Sequence, residues 1–318
     1  MRFNPIIEKE LKIKMRSWKA PALITVYLVF LGLIIFLNFL GTRLLSPYDY
    51  GQFGPSTALN SYNILAVFQL LLVVFITPAM TGSAVSGERE RQTLDLLLCT
   101  NLSTHSVIIG KIFVSIAYIM LLITASLPIL GTVFFYGGIR ITDILLLFAF
   151  YIVTALALGS IGIFYSTLFK KSSVAMVMSY LTVLFLLFGT VIVYGIWVRI
   201  FMRYSTTPVT LAQTMAFMFP NPLYGFGSLT EGMSYNIPFF GDIFRFGFSM
   251  YGGSQYAASA PVILGITLKP WMANIGFDIF VSILLILISA YRIKPVKGLW
   301  RKKRVKSGEL KVESEKTV

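Results

Sequence analysis

The sequence holds one cysteine, Cys99, and one histidine, His105, among 318 residues. A single cysteine excludes a disulfide framework within the chain, and a single histidine excludes a Cys/His metal cluster. Charge is scarce too: 13% of the residues are Asp, Glu, Lys or Arg, against about 25% in an ordinary soluble domain. No G-x-x-x-x-G-K-[S/T] phosphate loop occurs. Gly110-Lys111 is followed by Ile112, so the chain is not expected to bind a nucleotide cofactor or hydrolyse ATP alone.

What the chain has in excess is apolar surface. Hydrophobic residues make up 56% of it, and its mean hydropathy is +0.79. They arrive in six runs, at roughly 20–40, 62–86, 107–136, 144–169, 173–200 and 271–291. Each is long enough to cross a ~30 Å hydrocarbon layer as a helix, which takes about 20 residues. The expected fold is an all-α integral membrane protein with six transmembrane helices. The first run is too long for a signal-peptide core and no small-residue cleavage site follows it, so it reads as a retained span. The third and fifth exceed the required length and are expected to tilt or project. Pro128 is expected to kink the third.

The net charge of +14 reads as a topology signal rather than a nucleic-acid one, since no recognition motif accompanies it. If the N-terminus faces the cytoplasm, only Arg43, Arg140, Arg199, Arg203, Arg245 and Lys269 fall outside. All other Lys and Arg then lie inside, as expected for six spans with both termini cytoplasmic. Three regions follow: a cytoplasmic amphipathic segment 1–19, a permease-like body 20–291 and a basic cytoplasmic tail 292–318. The tail beyond Lys306 is polar and of mixed charge, a composition that favours disorder.

At the N-terminus, Asn4 is a cap and Pro5 suits a first helical position. Ile7, Leu11, Met15 and Trp18 share one helical face, while Lys9, Lys12, Arg16 and Lys19 lie elsewhere. This predicts an interfacial helix that turns into the first span at Pro21. Between spans five and six lies a long extracellular connection, 202–270, rich in Gly, Pro and aromatics. Thr207-Pro208 starts a short helix there carrying Leu211, Met215 and Phe219. Such a segment lies at the outer interface or dips into the membrane.

The connection between spans two and three, Ser86 to Ser103, joins four consecutive charges to a leucine cluster. Leu94, Leu97 and Leu98 share a helical face, with Arg91, Gln92 and Asp95 pointing elsewhere. A cytoplasmic helix over about 88–104 would offer that stripe to another protein or rest it on lipid. The polar residues inside the spans form a second group. Asn38, Gln69, Thr77, Thr190 and Asp278 are candidates for a substrate path, and bonding between helices is their commoner use. Asp278 stands alone as an acid within a span interior. Gly159 and Gly162 permit close helix approach.

The run from Glu88 to Lys111 resembles the cytoplasmic signature of ATP-binding-cassette (ABC) type 2 permeases. The matching residues are Glu88, Glu90, Thr93-Leu94-Asp95, Leu96-Leu97-Leu98, Thr100, Leu102-Ser103 and Gly110-Lys111. Gln92 stands where Gly is usual and Asn101 where Pro is usual; glutamine favours helix and asparagine caps one. The Asn4-Pro5 opening, the six spans and the long outer connection are similar to the family as well. The resemblance implies a bacterial-type exporter subunit in the plasma (inner) membrane, paired with an identical or related permease and two ABC ATPase subunits. ATP and Mg would be held by those partners. Glu88, Glu90, Thr93, Leu94, Leu97 and Leu98 would couple to the ATPase, with Arg89, Arg91 and Asp95 as supporting contacts. A motor-independent carrier or channel is the alternative, weakened because ion-coupled carriers place ionisable groups within their spans. A membrane enzyme is disfavoured by the lack of paired carboxylates within the spans and of a nucleophile elbow.

Overall fold

The computed structural model describes residues 19–45, 55–94, 104–134, 140–204, 211–231 and 269–293, the strand residues 262–263 and 266–267, and a few positions before Lys19. The interfacial helix read over 1–19, the residues Asp95, Leu97 and Leu98, the Thr207-Pro208 helix start, the stretch 232–261 and the tail from Lys294 lie outside the described residues, as does the side chain of Asn38.

The described chain is almost entirely helical. Inside a hydrocarbon layer every backbone N–H and C=O must find its partner within the protein, and an apolar run meets that demand as helix. In order the helices are α1 (Lys19–Leu45), α2 (Pro55–Thr81), α3 (Ser86–Glu90), α4 (Thr104–Ala125), α5 (Leu127–Phe134), α6 (Ile141–Leu168), α7 (Ser172–Leu184), α8 (Thr190–Tyr204), α9 (Leu211–Met218), α10 (Pro222–Glu231) and α11 (Pro270–Arg292). A two-residue antiparallel pair, Val262–Ile263 with Ile266–Thr267, precedes α11. Among the described residues five stretches are long and apolar enough to cross a membrane: Ser61–Glu90, Ser106–Gly131, Ile141–Leu168, Ser172–Phe201 and Pro270–Arg292. The described apolar part of α1, Pro21–Leu37, is shorter.

α6 runs through the middle of the bundle, with buried residues along most of its length from Leu147 to Thr167. It packs against α2, α4, α7 and α11. Small residues set these distances. A Cβ added to Gly162 would lie 2.0 Å from Thr81 Oγ1 and 3.2 Å from the Gly82 nitrogen, so glycine is what lets α2 and α6 touch there. Gly159 leaves only ordinary contact with Thr77 and Thr81.

α11 is polar inside and greasy outside. Asn274, Asp278, Ser282 and Ser289 are buried, while Ile279, Phe280, Ile283, Leu284 and Leu287 are exposed. A helix in water shows the reverse pattern. Against lipid it is the apolar face that needs no partner.

Two spans depart from regular α-helix along their length. The third breaks at Ser126, whose hydroxyl donates to the Ile123 carbonyl at 2.7 Å, and Pro128 falls in the first turn of α5, where its missing N–H is harmless. Between α7 and α8 lies a π-helical turn, Phe185–Gly189. The connection after α8 turns back into the bundle as the hairpin α9–α10. Phe226 of α10 stacks on Tyr151 of α6 with ring centroids 6.4 Å apart. Asn221, at the hairpin tip, donates to the Leu187 carbonyl in the π turn (2.9 Å) and to Thr190 Oγ1 (2.9 Å). At the hairpin itself, the Phe219 carbonyl accepts from Asn274 Nδ2 at 2.8 Å and the Leu223 N–H donates to Asn221 Oδ1 at 2.9 Å, so these backbone groups are covered by protein.

Candidate functional site

The signature segment opens on a short helix that leaves the end of α2 through a turn at Gly82–Val85. Ser166 near the end of α6 caps α3 from outside. Its Oγ accepts the N–H groups of Val85 (2.8 Å) and Ser86 (2.9 Å), two donors that a helix start leaves without internal partners. α3 then ends in a complete Schellman motif. Thr93 donates its N–H to the Glu88 carbonyl at 2.9 Å and Gln92 to the Arg89 carbonyl at 3.1 Å, with Gln92 at φ +58°.

This stop interrupts the expected helix over about 88–104, which is described only as far as Leu94, where the chain is helical again. The helix formed here ends at Glu90, and Gln92 does not extend it but sits in the left-handed region that glycine occupies without steric cost. Leu94 itself is buried in a cluster with Val85, Ile108, Ile112, Ile163, Ala290 and Ile293, so its own side chain packs inside this chain.

The charges of α3 are tied to the spans, Glu88 and Arg89 half-buried and Glu90 exposed. Glu88 Oε1 lies 2.6 Å from Lys111 Nζ of α4, with the lysine side chain 4% and the glutamate 24% exposed. Glu88 Oε2 is buried without a hydrogen-bond partner among the described residues. Arg89 reaches the carbonyls of Thr167 (3.5 Å) and Phe169 (3.4 Å), long bonds that place a cation at the negative end of α6. Glu90 reaches the start of α7: Ser172 donates its N–H to Oε1 at 3.0 Å and its hydroxyl to Oε2 at 2.5 Å. An anion thus sits where α7 presents free N–H groups. The junction therefore touches α4, α6 and α7 at once. Arg91, Gln92 and Thr93 remain exposed.

Sequence reasoning found the segment and missed its partners. Lys111 was detectable, because a lysine within an apolar run requires a nearby anion and Glu88 and Glu90 were at hand. Ser166 and Ser172 carry no sequence signal, since a serine becomes a cap only through the packing that brings a helix start to it.

The candidates within the spans separate into two kinds. Gln69 Nε2 donates to Ser126 Oγ at 3.0 Å, Thr77 Oγ1 to the Val73 carbonyl at 2.6 Å and Thr190 Oγ1 to the Leu186 carbonyl at 2.7 Å. All three are committed to bonds within or between helices. Asp278 is not: Oδ2 is buried with no hydrogen-bond partner among the described residues. It lines a partly enclosed cavity of about 210 Å³ between α6, α7, the Pro220–Pro222 turn and α11.

Among the described residues no group of His, Cys, Asp and Glu is placed to hold a metal ion. No curated protein matches this chain. A family model described as ABC-2 family transporter protein matches residues 4–290. Spanning the whole helical bundle and the junction, that match shows that the chain belongs to the ABC-2 family of transporter membrane proteins.

Proposed function

We propose that this chain is the permease subunit of an ABC exporter, coupled at the α3 junction to a separate ATPase subunit. Family membership implies an ABC ATPase as partner. The observation that carries the coupling reading is the tying of one five-residue helix to three spans through Ser166, Lys111 and Ser172. A push on the exposed lip Arg91–Thr93 reaches α4, α6 and α7 through bonds rather than through loose chain, as a lever between a motor and a two-state bundle requires. Glu88, Arg89 and Glu90 act as ties in this reading, Leu94 as the internal anchor, and Arg91, Gln92 and Thr93 as the contact surface.

In the same reading α1 is the sixth span, both termini are cytoplasmic as the Lys and Arg distribution favours, and the complex sits in the plasma membrane. Two permeases, identical or related, enclose the path and two ATPase subunits hold the ATP and Mg. The chain itself supplies no nucleotide chemistry.

The test is affinity purification from native membranes in mild detergent, with mass spectrometry of what accompanies the chain. A stoichiometric phosphate-loop ATPase is expected with the wild type. Arg91→Glu, an exposed change expected to alter stability by less than about 0.5 kcal/mol, should lower its retention and abolish substrate-stimulated ATP hydrolysis. Folded wild type that consistently lacks an ATPase sinks the subunit reading. Full retention and stimulation in Arg91→Glu sinks the assigned contact surface.

A further inference from the structure

Asp278 raises a question that neither packing nor coupling answers. Its side chain belongs to a residue only 6% exposed, in a helix whose other buried polar groups are neutral. A carboxylate in such a place is expensive to keep ionised without a cation, and as a neutral acid its O–H still needs an acceptor. The cavity it lines contains no lysine, arginine or histidine among the described residues. It does contain a second orphan: Thr154 Oγ1, from α6, is buried and also lacks a hydrogen-bond partner among the described residues. The other hydroxyls there, Tyr165 and Thr182, bond each other at 2.8 Å.

The rest of the lining is apolar, with the rings of Phe164, Tyr165 and Phe277. An apolar cavity with a few convergent polar groups is the ordinary form of a small-molecule site. About 210 Å³ is smaller than the ~300–1,000 Å³ of pockets for drug-sized ligands, so the occupant is small. What satisfies this lining is a cation with donors and an apolar body. An ammonium group supplies the charge that Asp278 lacks and N–H donors for a carboxylate and a hydroxyl. Aromatic faces tolerate and attract such a cation.

We propose that the cavity beside Asp278 binds a small lipophilic ammonium ion, its charged nitrogen on Asp278 and Thr154 and its apolar body among Phe164, Tyr165 and Phe277. The proposal rests on the cavity and not on the coupling reading, and its test needs no ATPase.

The probe is 2-phenylethylamine, one ring on a short aminoalkyl arm, titrated into the purified full-length chain in mild detergent by calorimetry. Its neutral counterpart, 2-phenylethanol, is titrated in parallel. The wild type should bind the amine saturably with a Kd below about 1 mM, and the alcohol should compete poorly. Asp278→Asn should weaken amine binding about thirtyfold or more, Thr154→Val by a few fold, and Asp278→Glu less than Asp278→Asn. The amine should also raise the thermal midpoint of the wild type and leave that of Asp278→Asn unmoved. Should Asp278→Asn fail to fold, the comparison of wild type with Thr154→Val and of amine with alcohol carries the same decision. No saturable binding to the wild type, equal binding of amine and alcohol, or undiminished binding by folded Asp278→Asn each overturns the proposal.

Discussion

Lys111 and Asp278 are both buried ionisable groups in apolar helices, and the bundle treats them differently. Lys111, 4% exposed, has Glu88 at 2.6 Å, and the helix bearing that glutamate is itself capped, stopped and tied to neighbouring spans. Asp278, 6% exposed, has no such partner among the described residues and faces a cavity. A paired buried charge fixes one arrangement of the elements that carry it. An unpaired one holds its environment away from the stability optimum, and natural proteins tolerate that mainly where a ligand or a reaction repays it. The difference separates a mechanical joint from a receptive site within one bundle.

The contrast breaks first at Glu88. Glu88→Gln removes the anion and leaves a buried lysine, a change that costs about 3 kcal/mol or more when the pair is desolvated. Lys111→Met is expected to cost less, because the abandoned glutamate side chain is 24% exposed and the lysine 4%, so the glutamate lies nearer to water. The double variant Glu88→Gln/Lys111→Met should be milder than the sum of the two. Reversible unfolding in mixed micelles, run as a double-mutant cycle, measures each term. Equal stability of Glu88→Gln and wild type would mean that the pair is no joint.

Asp278 is predicted to behave with the opposite sign. Asp278→Leu removes an unsatisfied buried carboxyl and places apolar atoms toward the cavity, so stability should rise by about 1–3 kcal/mol. The same unfolding assay reads it, and a loss of comparable size would show that the carboxyl is a structural partner. One acid removed lowers stability and another raises it, which a general effect of deleting negative charge from a basic chain cannot reproduce.

The sequence made this contrast partly visible. The apolar runs were legible because lipid forces helices on them, and Asp278 stood out as an acid inside one. The location of the junction was legible through the Glu88–Lys111 signature. Its geometry was not. The reading that glutamine favours helix treated Gln92 as a continuation, whereas the bonds from Gln92 and Thr93 back to Arg89 and Glu88 close the helix there. Leu94 matched an amphipathic stripe, but periodicity cannot say whether a stripe meets a partner, lipid or the chain's own helices. The π turn at Phe185–Gly189 has no proline to announce it, and it is held from outside by Asn221, 34 residues from Leu187 in sequence. Contacts of that kind exist only after the hairpin α9–α10 has docked.

The smallest expected effect bears on the joint itself. Gln92 has φ +58°, a conformation that costs a residue with a Cβ about 1–2 kcal/mol relative to the right-handed region. Glycine escapes that penalty but loses more backbone freedom on folding, which returns part of the gain. Gln92→Gly is therefore expected to stabilise the protein by about 0.5–1 kcal/mol, and Gln92→Val, β-branched and strained in this region, to destabilise it by a similar amount or more. Because Gln92 is exposed, neither change disturbs the core, and the sign reports on the backbone alone. If the Schellman stop is what fixes the lip Arg91–Thr93 for the motor, Gln92→Gly should keep ATPase retention while Gln92→Val lowers it. A glycine that destabilises would mean that the chain at Gln92 does not hold the left-handed turn in the membrane. The joint would then be an ordinary continuing helix, and the distinction from the Asp278 cavity would rest on the Glu88–Lys111 pair alone.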